Sequence, residues 1–518
     1  MKKTYISFIF IFQISIHLFG QAGALDATFG TGGFVTTSFG VSYKDEIADI
    51  AIQSDGNIVA VGLAYDSNAG IDKISLARYN SNGSLDNSFG INGIVTTTLF
   101  ANFNCSGVAI DLQPDGKILV AAQANDTNTL AIQNGYFLVL RYTSNGVLDN
   151  TFGVNGVRSI QSTSTFSTEV KATDMLLQPD GNIVLSGSAY YSSSSEFVFI
   201  RLTPTGSLDN TFGTSGVAVI SSTIGEAIPS AIALQSDGKI VYSGYIDATT
   251  LNYPFVGRLN TNGSVDASFG NSGHAVPTYS ASAAFMGITL QSNGNILASG
   301  FGNSGALLAC FQTNGTYDLS FGTNGYLITT IGSQVDATLY DVTVQSDGKI
   351  VGAGLADGAF ALMRTSAQGS IDASFGTGGI VQTTFAVGVG SEARAIKIQT
   401  DGKIVLGGTN ITANASCIST YALTRYDNNI TTSLKNYSNK EGSTFYPNPA
   451  SDHVSFDIPT KGENFTIQAY DLLGKAISTA FINSASSEMD ISKLPEGTYT
   501  ILITSPDRIW RQKLVVLR

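Results

Sequence analysis

Short stretches in which apolar and polar residues alternate recur along most of the chain, separated by turns rich in Gly, Asn and Asp. In one such unit Asp49 to Gln53 (DIAIQ) alternates, Asp55-Gly56 turns, and Asn57 to Gly62 (NIVAVG) returns. Asp-Gly between two apolar runs is a strong hairpin signal, because both central residues of that turn must accept positive φ. A third strand is predicted at Ile74 to Tyr79 (ISLARY), ending at a turn with Asn82-Gly83. The fourth is predicted from SLDNSF together with GIVTTTL, the segment that follows Gly90 and Gly93. The repeats contain no helical periodicity of useful length. Each unit therefore reads as four short strands, A to D.

This unit repeats. An LDxxFG signature places phenylalanines at Phe29, Phe89, Phe152, Phe212, Phe269, Phe321 and Phe375, with spacings of 60, 63, 60, 57, 52 and 54. A QxDGxI signature begins at Gln53, Gln113, Gln178, Gln235, Gln291, Gln345 and Gln399. The last unit stops after strand C at Tyr421 to Tyr426 (YALTRY), and its missing D strand stands at the front, in Leu25 to Thr37. A unit split across the two ends is what closes a ring. An open solenoid would instead want polar caps. The expected fold is all-β, a seven-bladed β-propeller whose N-terminal strand completes the last blade, followed by a small C-terminal β-sandwich.

Lys2 and Lys3 precede a mostly apolar run from Tyr5 to Phe19, and Gly20, Ala22 and Gly23 follow, the pattern of a secretory signal peptide. The expected organisation is signal peptide 1–22, propeller 23–427, a polar linker 428–442, and a C-terminal domain 443–518. No later stretch has the roughly 18 unbroken apolar residues of a spanning helix, so no transmembrane segment is expected after signal removal. Charged residues make up only 13 % and the net charge is −12, which argues against nucleic acid and anionic lipid. Cys105, Cys310 and Cys417 are too few for a disulfide framework and read as isolated packing thiols. A monomer is expected.

QSDGNIVAVG, LARYNSNGSLD and FGINGIVTT resemble the delta-60 repeats of a predicted β-propeller family, and the A–B–C part is similar to NHL-type propeller repeats. That resemblance implies the fold and a surface location but no activity. FYPNPASDHVSFDI (Phe445 to Ile458), YDLLGKAI (Tyr470 to Ile477), ISKLPEGTYTILI (Ile491 to Ile503) and the final KLVVLR resemble the type A C-terminal sorting domain of the type IX secretion system. The resemblance implies interaction with the type IX machinery, passage through the outer membrane, cleavage, and attachment of the cargo to surface lipopolysaccharide.

Candidate chemistry is sparse. His274 is the single histidine of the propeller, and it reads as an exposed turn residue beside Gly273. With one histidine, Ser-His-Asp catalysis and histidine metal sites have little to draw on. The Asp-Gly turns offer one carboxylate each, against the six to eight oxygens a calcium ion takes. No metal site, cofactor or catalytic residue is assigned. Six repeats carry both a turn aspartate and a strand-C arginine: Asp55 and Arg78, Asp115 and Arg141, Asp180 and Arg201, Asp237 and Arg258, Asp347 and Arg364, Asp401 and Arg425. The fifth has Asn293 and Cys310 instead, losing both partners together. The expectation is an Asp–Arg bridge within each of the six blades. Non-repeated carboxylates stand where the chain enters strand A: Glu46, Glu169, Glu226, Asp336 and Glu392. They are expected around one mouth of the channel, as an incomplete acidic collar able to attract a cation or a hydroxyl-rich ligand.

Near-identical repeats without a catalytic constellation point to a secreted, surface-associated, non-catalytic protein that binds a glycan or another protein through one propeller face. The alternatives are a polysaccharide-acting hydrolase or lyase using two collar carboxylates, and a spacer with no ligand of its own.

Overall fold

The computed structural model describes residues 22–428 and 444–518, apart from the connecting segments 41–43, 128–134, 162–168, 191–194, 222–225, 249–250, 277–281, 334–335, 386–387, 413–417, 458–464, 471–475, 483–487 and 505–508. Residues 1–21 of the expected signal peptide and nearly all of the expected linker lie outside the described residues, as does Cys417, whereas Ala22 is buried in the propeller core.

Seven antiparallel four-stranded sheets form the blades. Blade 1 consists of Asp45–Ile52 (A), Ile58–Asp66 (B), Ile71–Tyr79 (C) and Ile94–Thr97 (D). The next five blades repeat that order, with A strands Phe103–Leu112, Glu169–Leu177, Glu226–Leu234, Ala283–Leu290 and Thr338–Val344. Blade 7 takes A, B and C from Gly388–Ile398, Ile404–Thr412 and Ser419–Tyr426, and its D strand is Phe34–Thr37. The register Phe34↔Thr424 to Thr37↔Tyr421 closes the ring. The seam is bonded beyond its backbone ladder. Asp26 accepts from Arg425 at 2.7 Å and Lys403 at 2.6 Å, and the Tyr79 hydroxyl of blade 1 donates to Thr37 at 2.9 Å.

Strand D is shorter than the sequence pattern suggests, because LDxxF does not continue the ladder. In blade 1 Leu85 keeps a single bridge to Tyr79, after which the Asp86 carboxylate accepts from the Ser88 backbone N–H and turns the chain. Gly90 follows with φ 53°, where an added Cβ would lie 2.3 Å from the Ile94 carbonyl. Only glycine fits there.

The apolar faces of neighbouring blades share their cores. Val59, Val61, Leu76 and Phe89 of blade 1 pack with Val120, Leu138 and Leu140 of blade 2 in one buried cluster. Each such side chain contributes about 1.5–3 kcal/mol when fully buried, so a blade depends on its neighbours for much of its stability. Residues 431–518 form a separate compact unit. It has a three-stranded and a four-stranded sheet, and Val454 of the first and Ile467 of the second belong to one buried cluster.

Candidate functional site

The strand-C arginines are bridged, but to a different aspartate from the one expected. Arg78, Arg141, Arg201, Arg258 and Arg364 donate through Nε to Asp86, Asp149, Asp209, Asp266 and Asp372, eight residues on in LDxxFG, at 2.8–2.9 Å. Arg425 makes the same bond to Asp26 across the closing seam. Asp55, Asp115, Asp180, Asp237, Asp347 and Asp401 form no ion pair with those arginines. Each is spent on its own turn, accepting from the backbone N–H two residues ahead. The reason is geometric. The C–D turn folds LDxxFG back against strand C, so its carboxylate reaches the guanidinium first.

Each arginine does three things. It pairs with its aspartate, lies 4.3–4.8 Å above the buried LDxxFG phenylalanine, and donates to a backbone carbonyl of the next blade, in its C–D turn for five of them and at Asn428, just past strand C of blade 7, for Arg364. Those carbonyls include Pro204 for Arg141 at 2.9 Å and Thr261 for Arg201 at 2.5 Å. Burial opposes ionisation of Asp26 and Asp266, but the lysine, hydroxyl and arginine partners outweigh it and hold both carboxyls well below the usual range. In the fifth blade Gln291 Nε2 takes over the arginine's bond, reaching the Ala367 carbonyl at 2.9 Å, while Asn295 donates to Asp318. The joint loss noted in the sequence is thus a substitution of one latch for another.

The A strands of all seven blades line a central cavity of about 860 Å³. In every blade the A–B register skips an A-strand residue at one equivalent position, Ala48, Val108, Thr173, Ser230, Met286, Tyr340 and Arg394, and blade 7 has a second skip between Gly388 and Gly390. A bulge re-aims a side chain, and all seven of these residues line the cavity. The bulges were not anticipated, although a signal existed. Gly62 on strand B lies opposite the first bulge, and a Cβ there would come within 1.9 Å of the Glu46 carbonyl. Gly187, Gly244, Gly300, Gly354 and Gly408 repeat that arrangement. Recurrent glycine inside a strand marks such a site.

Deeper in the channel Asp49, Asp111, Asp174 and Asp341 bind neighbouring blades together. One oxygen of each accepts from the following backbone N–H, and the other from a backbone N–H of the next blade: Ile110, Leu177, Ile232 and Ile396, at 2.8–3.0 Å. Lys397 enters this group with its ammonium 3.4 Å from Asp49, while 40 % of its side chain stays open to the channel. Burial pushes the Asp174 carboxyl up to about 7, against the hydrogen bond from Ile232. For Lys397 the attraction of Asp49, Asp341 and Asp174 exceeds the burial penalty, and its affinity for the proton rises.

Of the five expected collar carboxylates, Glu46 and Glu392 line the cavity. Burial raises the Glu46 carboxyl above its ordinary value, with Lys44 opposing and Glu392 adding to the shift. Glu392 accepts from Arg394 Nε at 2.8 Å and Nη2 at 2.6 Å, and the Arg394 guanidinium lies 4.1 Å from the Tyr340 ring centre. Glu226 and Asp336 are exposed and lie outside the cavity lining. Glu169 opens the A strand of blade 3, and its side chain is outside the described residues. His274 is not an exposed turn residue. It is half-buried in the two-residue D strand of blade 4, its Nε2 3.0 Å from the Tyr242 hydroxyl. Burial lowers its proton affinity.

Fold and chain organisation together define an exported β-propeller with a secretion tail. Residues 53–89, 113–152, 178–212, 235–269 and 345–375 match the "Domain of unknown function (DUF5122) beta-propeller", and residues 444–517 match the "Secretion system C-terminal sorting domain". The chain is therefore a DUF5122 repeat propeller carrying a type IX sorting domain, destined for the extracellular space or the outer-membrane surface. Among curated proteins none matches it. Solved structures similar to it include a catalytically inactive virginiamycin B lyase from Staphylococcus aureus, at 12 % identity and TM-score 0.44, covering 76 % of this chain and 98 % of the other. The polysaccharide lyase Uly1 is 10 % identical with TM-score 0.42, covering 76 % and 92 %. The β-propeller domain of the Trilobed protease from Pyrococcus furiosus is 12 % identical with TM-score 0.37, covering 74 % and 94 %. Likeness at this level bears on neither substrate nor mechanism.

Proposed function

We propose that this protein is a non-catalytic, surface-displayed binding protein whose ligand site is the channel mouth formed by the starts of the A strands. The observation that carries this reading is the bulge ring. A repeat that is otherwise strongly self-similar presents seven different residue types to one cavity, with Tyr340, Arg394, Glu392 and Glu46 on one side of it. An aromatic face beside convergent charged groups is the usual composition of a ligand site. The sorting domain would deliver that site to the cell exterior, where extracellular glycans and proteins are the available ligands. A glycan array probed with the intact chain tests the reading. Retention of glycan that weakens on Glu392→Gln supports it, and no retention of any glycan counts against a glycan ligand.

One observation favours a hydrolase or lyase as a second reading. Glu46 and Glu392 share the mouth, where burial raises the Glu46 carboxyl above its ordinary value and Arg394 donates two hydrogen bonds to Glu392. A carboxyl raised by burial that shares a cleft with a second carboxylate is an arrangement acid–base glycoside chemistry uses. Polysaccharide turnover abolished by Glu46→Gln would replace the binding reading with this one.

A further inference from the structure

We propose that the bulge ring takes the terminal residue of an uncharged glycan, inserted end-on into the channel mouth. This rests on the binding reading above and deepens it.

The ring is asymmetric in size. Blades 1 to 4 contribute the small residues Ala48, Val108, Thr173 and Ser230, whereas blades 5 to 7 contribute Met286, Tyr340 and Arg394. The cavity is consequently wider over blades 1 to 4, and its opposite wall carries the large side chains. That wall includes a platform. The Arg394 guanidinium, fixed by two hydrogen bonds to one Glu392 oxygen, lies against the Tyr340 ring at 4.1 Å. A sugar ring presents flat C–H faces to such a platform and equatorial hydroxyls to the carboxylate and guanidinium beside it.

Charge selects among sugars. At the level of the mouth the cavity lining holds Glu46 and Glu392 against Lys171 and Arg394, two of each sign. A balanced set offers donors and acceptors without favouring a uronate or an amino sugar. Depth sets the mode of insertion. Below the ring Asp49, Asp174 and Asp341 have both oxygens engaged by backbone N–H groups, and Lys397 stands beside Asp49. The carboxylates hold blades together and have little to offer a hydroxyl, so a sugar gains most of its contacts at the ring, with the part-open Lys397 ammonium as the floor beneath it. A cavity of about 860 Å³ falls in the range of small-ligand sites, roughly 300–1,000 Å³. It suits a chain end rather than the surface of a folded partner.

The test uses the intact chain and three immobilised oligosaccharide sets: neutral, uronate-containing and amino-sugar-containing. The neutral set is also presented with its terminal hydroxyls methylated. The expected result is retention of neutral chains, at least tenfold weaker after terminal methylation. Tyr340→Ala, which removes the platform, and Ser230→Trp, which fills the wide side, should each weaken binding at least tenfold with the unfolding midpoint unchanged. Thr173→Phe replaces Ser230→Trp if the latter misfolds, and the methylated ligands require no variant at all. Neutral chains that bind regardless of terminal methylation and of both variants overturn end-on insertion, while glycan binding itself stands. Retention confined to uronate or amino sugars overturns the uncharged class. If no set is retained and a protein partner is captured through the mouth instead, the glycan reading fails together with this one.

Discussion

The latch at the turn face and the bulge ring at the channel mouth belong to the same repeat, yet they use sequence in opposite ways. At the latch one chemical solution is copied: arginine pairs with aspartate over a buried phenylalanine in six blades. In the fifth, Gln291 reaches the same kind of carbonyl in the next blade. What is repeated there is the satisfaction of one buried acceptor and one buried carboxylate, since leaving either unpaired is costly. At the ring the backbone device is copied, a bulge in every A strand, while no side chain occurs twice. Stability should therefore reside in what repeats, and recognition in what does not.

The largest break in that comparison comes from the closing strand. Removing residues 22–37 takes away Asp26, Phe29 and the whole D strand of blade 7, and should abolish the cooperative urea transition of the propeller. Removing residues 444–518 takes away a unit with its own buried cluster and should leave that transition in place. Equal effects would contradict the closed ring as the source of stability.

Within the ring the latches can be graded. Among the described residues Asp209 has Arg201 as its one cationic partner, whereas Asp266 keeps Lys239 at 2.8 Å when Arg258 is lost. Arg201→Ala should cost about 3–5 kcal/mol, the range for breaking a buried pair, and Arg258→Ala measurably less, as read from urea midpoints. Gln291→Ala leaves the Ala367 carbonyl without its donor and should cost about 1–3 kcal/mol.

Acidity separates the two regions as well. The latch carboxyls Asp26 and Asp266 are held below their unfolded values. Their contribution is complete above the unfolded value near 4 and is lost as pH falls further. Asp174 in the channel has the opposite sign. Its carboxyl rises to about 7 in the fold, so its contribution is greatest below pH 4 and declines as pH rises through 7. Asp174→Asn should therefore be most destabilising near pH 4, with the gap to the parent protein closing by about 1–3 kcal/mol by pH 8. A gap that widens with pH would reverse the assignment.

How much of this was legible in the sequence follows the same division. The blade count, the split seventh blade and the position of the sorting domain could be read because Phe29, Gln53 and their counterparts recur at nearly constant spacing. The latch was legible only in part. Arg78 is an evident partner for some aspartate, but strand pairing alone points to Asp55, and the fold of LDxxFG that delivers Asp86 involves a turn that the alternation pattern does not register. The ring was not legible from its own residues, because Ala48 or Met286 in an alternating strand looks like any other position. Its trace was in the facing strand, at Gly62 and the glycines equivalent to it. Two of the five collar carboxylates stand at the mouth. Glu46 and Glu392 stand two residues before the bulge and line the mouth, whereas Glu226 and Asp336 stand four before theirs, outside the lining, a register that the alternation pattern does not reveal.

The division of labour between latch and ring is tested most directly by one paired measurement, the urea midpoint and neutral-glycan affinity of Arg201→Ala and Tyr340→Ala. The prediction is a crossed result. Arg201→Ala should lose several kcal/mol of stability and keep its affinity while folded, and Tyr340→Ala should lose affinity at least tenfold with its midpoint within about 0.5 kcal/mol of the parent. A Tyr340→Ala protein that binds as the parent does, or that unfolds as readily as Arg201→Ala, would contradict it.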